Sequence, residues 1–274
     1  MNLLKKVKMN PLFNFLIKVY KYRSLIKTMA IREIQTRYAG TLAGFVWSVV
    51  NPLMIILVYW FVFSVGFKVQ PVGNVPFIVV FLCGMIPWTM FSESLMANTN
   101  AIISNAHLVK KTVFPTEILP IVNLVASFTT HGIMLVILLI LLIFNNISFS
   151  FYNLQFLYYL AALAVFSIGL GWIFSAVNVF YRDTGQIIGV IINMWFWLTP
   201  IVWLIDMIPK NYQFIIKLNP MYYIVEGYKT SFIYHSPFWQ DYLLGIYFWF
   251  VCLLIFIIGG LTFRKLKPEF ADVL

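Results

Sequence analysis

Charge is scarce in this chain. Asp, Glu, Lys and Arg make up 10% of its 274 residues, where a soluble domain carries about 25%. Hydrophobic residues make up 62%. A water-soluble domain is thereby excluded. The expectation is one polytopic all-α membrane domain over 1–274, with no soluble unit left over. Cysteine is also scarce: Cys83 and Cys252 each sit in an apolar run, too few for a disulfide framework. The three histidines, His107, His131 and His235, lie in different segments, so no i,i+4 pair is available for zinc. No G-x-x-x-x-G-K-[ST] run occurs, which excludes a phosphate-cradling loop. No Ser-His-Asp set follows from spacing, and no series of acids suits a proton relay. The chain is expected to hold no catalytic site, metal or cofactor of its own. Residues 1–30 lack the pattern of a signal peptide, because the run 12–17 is short and Lys18 interrupts it. The first membrane helix is expected to do the targeting.

What charge there is has a location. Nine of the 19 Lys and Arg precede Tyr38. That is the bias of cytoplasmic flanks and points to anionic headgroups of membrane lipids rather than nucleic acid. Residues 31–53 carry the chain from this basic surface into an apolar run. Over 24–38, Leu25, Met29, Ile34 and Tyr38 fall on one stripe. Lys27, Thr28, Arg32 and Gln35 face elsewhere. Ser24 is the expected cap, and Glu33 and Arg37 are an i,i+4 pair. An amphipathic interfacial helix is expected here, followed by a hinge at Ala39, Gly40 and Thr41.

About 20 apolar residues cross a membrane. Uncharged windows then predict six spans: 38–67 with Pro52 inside it, 69–92 running on to about Asn100, two within 118–181 divided at 145–153, 184–205, and 242–263. The boundaries read as a basic tail and interfacial helix (1–38), a six-helix domain (39–265) and a tail (266–274). With the N-terminus inside, Lys110, Lys111, Arg182, Arg264, Lys265 and Lys267 join the basic tail on the inner side. Lys68, Lys210, Lys217 and Lys229 fall outside. N-in, C-in is the orientation expected.

Between the fifth and sixth spans, 206–240 is too polar to cross yet rich in aromatics. Pro209 and Pro220 cut it into two short helices, and a re-entrant or interfacial hairpin on the outer side is expected. Four polar residues lie within apolar windows: Glu93, His131, Asn178 and Asn193. Hydrogen bonds between helices are the expected role for most of them. The short inner loop 101–120 carries Lys110 and Lys111 and is closed by Phe114 and Pro115. It reads either as a basic inner loop or as a rigid helix that docks a partner. Arg182 and Asp183 read either as a tight turn or as a second contact. Trp195, Phe196, Trp197 and Trp203 cluster beside the hairpin, where flat aromatic faces suit sugar C–H faces as well as a membrane interface.

In order along the chain stand the basic helix, RYAGTLAGFVWSVVNPL (37–53), GMIPWTMF (84–91), LVKKTVFPTEILP (108–120), VFYRD (179–183), TPIVWLIDMIP (199–209) and NPMYYIVEGYK (219–229). Over about 24–265 this series resembles the membrane subunit of ABC type-2 exporters, in the branch that exports polyprenol-linked polysaccharides such as O-antigen and teichoic acid. The resemblance implies a bacterial inner-membrane permease. It implies two copies of this chain and two separate ATPase subunits that bind ATP and Mg. It casts 24–38 as a gate helix whose Lys27, Arg32, Arg37 and Tyr38 meet a lipid-linked headgroup. It casts Asn105, His107, Lys110, Lys111 and Phe114 as a coupling helix to the ATPase, with Arg182 and Asp183 beside it. Trp195, Trp197, Trp203, Tyr222 and Tyr223 would belong to an aromatic belt along the glycan path. Relatives often carry Tyr where Trp203 stands. An ABC type-2 exporter of drugs or lipids is the rival of the same class, and a stand-alone channel or membrane enzyme the rival of another.

Overall fold

A computed structural model describes residues 11–69, 71, 75–111 and 114–274, with the side chains of 11–14, 16 and 111 left out. The basic tail 1–10 lies outside the described residues. The elements are helices throughout. α1 (Pro11–Lys21) and α2 (Arg23–Arg37) precede α3 (Trp47–Trp60), which runs into a π-helical turn, Phe61–Gly66. Then come α4 (Phe77–Ser104), α5 (Ala106–Lys111), α6 (Leu119–Phe144), α7 (Phe156–Phe180) and α8 (Thr184–Leu198). Two short helices, α9 (Lys210–Lys217) and α10 (Pro220–Lys229), lead to α11 (Tyr242–Leu266) and α12 (Phe270–Val273).

Five helical segments among the described residues are long and apolar enough to cross a membrane: Gly44–Gly66, Phe77–Ser104, Thr116–Phe144, Phe151–Phe180 and Tyr242–Val273. The expected span 184–205 is shorter than its apolar window. α8 stops at Leu198 after 15 residues, about 22 Å at 1.5 Å per residue. Pro200 accounts for this, since the residue before proline is driven out of the helical region; Thr199 is extended at ψ 132°. The chain does break into two short helices at Pro209 and Pro220, where the prolines punctuate it.

α4 is the axis of the bundle: 78% of its most apolar window is buried, against 11% for Gly44–Gly66. Its inward residues, Phe81, Ile86, Met90, Phe91 and Leu95, join Leu138, Phe166 and Tyr228 in one cluster. The outer helices keep their apolar sides exposed, as at Leu57 and Val58 of α3 or Leu253 and Ile257 of α11, which suits lipid as solvent. α7 and α11 touch backbone to backbone. A Cβ built on Gly259 would lie 2.3 Å from the Gly169 carbonyl oxygen, so the pair tolerates no side chain, as in small-residue crossings between membrane helices.

α2 does not start with a cap at Ser24. The residue before its first turn is Tyr22, which makes no side-chain capping bond; it joins the two helices instead, its amide donating to the Lys18 carbonyl of α1 and its carbonyl accepting from the Ile26 amide of α2. Its buried residues are Ile26 and Ala30, packed on Ile118, Ile121, Val122 and Ala126 at the start of α6. Leu25, Met29 and Ile34 flank that contact. Residues 38–43 form the expected break, with Gly40 at φ +77° and Gly44 at φ +51°, values that glycine adopts without strain.

Candidate functional site

One end of the bundle gathers most of the charge. At the start of α6, Glu117 takes Lys18 of α1 at 2.8 Å and also pairs with Lys267, just past α11. Its backbone carbonyl accepts from the Trp172 indole of α7 at 3.0 Å. Nearby, Asn178 of α7 donates to the Thr99 carbonyl and to Asn100 Oδ1 of α4, and accepts from the Gly185 amide of α8. These bonds bring the ends of α4, α7 and α11 together with the beginnings of α6 and α8. The N-terminal helices and the C-terminal segment therefore meet at the same end.

The end of α2 is fastened at this end of the bundle too. Arg37 Nη1 donates to Glu93 Oε2 of α4 at 3.1 Å, and both side chains are partly buried. The local partner Glu33 is not the one chosen. Tyr38 follows, and burial first, then the Glu93 carboxylate, raises its phenol above its ordinary value, so it stays a neutral donor. Lys27 and Arg32 are exposed. Lys27 stands with Arg23 on a groove of about 370 Å³ between α2 and α6, floored by Ile26, Ala30, Ile121 and Val125.

The expected docking helix is α5, a single turn and a half straight after α4. Asn105 ends α4, its side chain donating to the Ala101 carbonyl while its own carbonyl accepts from the amides of Leu108 and Val109. That turn aims His107 and Lys110 outward, both exposed. Lys111 ends the helix, and its side chain lies outside the described residues, as do residues 112 and 113. Phe114 anchors the loop in two apolar clusters. The tail reinforces it from below: Phe270 of α12 is fully buried in the cluster that takes Val109 and Phe114. Arg182 and Asp183 sit in an exposed turn between α7 and α8, on a separate element. Asp183 precedes α8 without capping it.

The aromatics divide. Trp195 is built into the helix bundle. Its ring packs against Trp88, Phe91 and Phe166, and its indole donates to Asn219 Oδ1 at 2.7 Å. Asn219 also accepts from the Met221 amide, capping α10, and donates to Thr199 Oγ1. Tyr222 and Tyr223 are buried; Tyr223 meets Tyr158 at 3.0 Å, which accepts from the Trp249 indole. Trp197 is exposed, and its carbonyl accepts from the half-buried Trp203 indole. Asn193, one turn before Trp197, is exposed as well.

Two polar groups, Lys229 and Glu117, are placed where sequence reasoning did not put them, and His131 makes the kind of bond between helices expected of it. Lys229, counted among the outer charges, is 1% exposed. It donates to the Pro200 carbonyl at 2.7 Å and faces Glu226 at 3.4 Å; the i,i+3 spacing with Glu226 was the available signal. His131 of α6 bonds the Tyr228 hydroxyl at 2.9 Å. Glu117, within the loop 101–120, is the node of two cations. Among the described residues no group of three His, Cys, Asp or Glu is arranged to hold a metal.

The chain is similar to curated proteins over most of its length. The O-antigen export system permease protein RfbA of Klebsiella pneumoniae is 29% identical over 255 residues, covering 91% of this chain and 95% of that protein. A protein of the same name from Myxococcus xanthus is 29% identical over 220 residues, 80% of this chain and 84% of its own length. The polysialic acid transport protein KpsM of Escherichia coli is 24% identical over 204 residues, covering 73% and 78%. Residues 24–233, from α2 to the turn after α10, match the ABC-2 type transporter family. The chain belongs to that family, whose members are membrane subunits of transporters rather than enzymes.

Proposed function

We propose that this chain is the permease subunit of an ATP-driven exporter of polyprenol-diphosphate-linked polysaccharide, working in the bacterial cytoplasmic membrane. The observation that carries the reading is the match over 24–233, together with relatives named for O-antigen and capsule-type export. Two copies of the chain assemble with two separate ATPase subunits, which bind ATP and Mg. The chain crosses six times, N-in and C-in, with α8 as the short fifth span and α9–α10 as a re-entrant outer hairpin. The meeting of Lys18 and Lys267 on Glu117 supports an even number of crossings.

In this reading α2 lies along the inner leaflet. Arg32 and Lys27, both exposed, draw the diphosphate, since charge-assisted bonds to phosphate oxygens are the strong ones. Arg37 joins them by exchanging Glu93 for phosphate. Closure of the ATPase dimer pushes α5, through Asn105, His107, Lys110 and Lys111, with Arg182 and Asp183 as a second contact. Phe114 and Phe270 make that push a rigid-body movement of the adjoining helices. The glycan passes Trp197 and Trp203, while Trp195, Tyr222 and Tyr223 hold the wall behind them. Reconstitution of the chain with its ATPase in vesicles tests this. ATP-dependent arrival of a lipid-linked polysaccharide at the far leaflet is expected. Transport of small lipids or drugs with no movement of the glycan lipid would replace this reading.

A further inference from the structure

Polar side chains inside a membrane bundle spend their hydrogen bonds on one another or on water. One cavity at the end of α2 departs from that rule. It holds about 80 Å³ between α3, α4 and α6, next to the Arg37–Glu93 pair. Thr89 Oγ1, on its α4 wall, is buried and has no hydrogen-bond partner. Glu93, also in the wall, spends Oε2 on Arg37 and has Oε1 free of any bond to a described residue. Tyr38, Ser48, Asn51 and Thr130 complete the polar wall; Ser48 spends its hydroxyl on the Phe45 carbonyl, while the side chains of Asn51 and Thr130 bond none of the described residues. Pro52, also in the wall, has no N–H for the Ser48 carbonyl one turn back. Ile55, Met85 and Met134 close the remaining sides. Asn51 is exposed, so the mouth lies on α3.

The chemistry of this lining selects its occupant. A phosphate is disfavoured inside the cavity, because the Glu93 carboxylate is in its wall and no Lys or Arg lines it. An acyl chain would leave the Thr89 hydroxyl and the Glu93 oxygen desolvated, each at a cost. A neutral ring with hydroxyl groups on its edge and C–H groups on its face fits both walls at once. We infer that the cavity reads the sugar next to the lipid diphosphate, with Asn51, Thr89 and Glu93 bonding its hydroxyl groups and Met85 and Met134 against its face. The inference rests on the exporter reading above. A diphosphate held along α2 would leave its first sugar at this mouth, so the cavity sorts glycosylated carrier from bare carrier.

The test uses the full chain assembled with its ATPase in lipid nanodiscs. The probes are a synthetic polyprenyl diphosphate, the same lipid bearing one hexose, and the free hexose. The hexose-bearing lipid is expected to bind at least about tenfold more tightly than the bare one, the scale of one or two well-placed hydrogen bonds. Thr89→Val with Asn51→Leu should erase that preference while leaving affinity for bare lipid unchanged. Thr89→Ser, which keeps the hydroxyl, should retain it. A preference that survives the double variant means the cavity holds water only and overturns the inference. Equal binding of both lipids to the unaltered complex overturns it while leaving the exporter reading standing. Failure of either lipid to bind removes both. Free hexose binding as tightly as the lipid-linked form would make this a free-sugar site instead. A second readout covers a misfolded double variant: hexose-bearing lipid, but not bare lipid, should shield the thiol of Asn51→Cys from a polar maleimide, and equal labelling overturns the inference.

Discussion

Arg37 on α2 and Glu93 on α4 are 56 residues apart in sequence and 3.1 Å apart in space. The bond fixes where α2 ends against α4. It also neutralises an acid that would otherwise stand alone near the membrane interior, an expensive arrangement.

Breaking the pair should free the end of α2. Arg37→Ala and Glu93→Gln are each expected to lower substrate-stimulated ATPase activity in the assembled complex. Their combined effect should fall short of the sum by about 1–2 kcal/mol in a double-mutant cycle on thermal stability, as for residues in direct contact. Additive effects would show that the pair carries no coupling.

Lys110→Glu with Lys111→Glu should disconnect ATP hydrolysis from export. The reversed charges sit on α5, whose Lys110 is exposed. Hydrolysis is expected to persist at a basal rate while glycan-lipid movement falls at least tenfold. Unaltered export would argue against docking through α5.

Glu117→Gln should loosen both α1 and the tail. One carboxylate holds Lys18 and Lys267, and both lysines are substantially exposed. Exposed pairs contribute little, so a loss of about 1 kcal/mol is expected, or roughly 2–4 °C in Tm. Limited proteolysis should reach the segment after Leu266 sooner in the variant. An unchanged cleavage pattern would show that apolar packing at Phe270 suffices alone.

Tyr228→Phe removes the hydroxyl that His131 bonds in the core. A buried ring nitrogen left without a partner costs about 1–3 kcal/mol. The purified chain should lose several degrees of Tm by fluorescence unfolding in detergent. Pairing the change with His131→Leu should recover part of the loss. No recovery would mean that the histidine finds another partner.

The chain purified without its ATPase should hydrolyse no ATP, since no phosphate-cradling loop occurs in its sequence. Robust hydrolysis that survives removal of contaminating ATPases would overturn the subunit assignment.

The sequence by itself determined the parts that depend on neighbouring residues. Apolar windows located the long helices, because a span is one contiguous run. Pro209 and Pro220 set off the short helices α9 and α10, because proline acts on its own turn. The clustering of Lys and Arg marked one end of the bundle, and Asn105 through Lys110 marked the exposed turn after α4. Only the tertiary structure decided which polar groups meet. Arg37 chose Glu93 over Glu33, and Glu117 chose Lys267 150 residues away. His131 found Tyr228 at a separation of 97. Such choices depend on how helices rotate against α4, which no local pattern encodes. The same rotation turned Trp195 into the core and Trp197 outward, buried Lys229, and left the Thr89 hydroxyl facing a cavity with nothing of its own to bond.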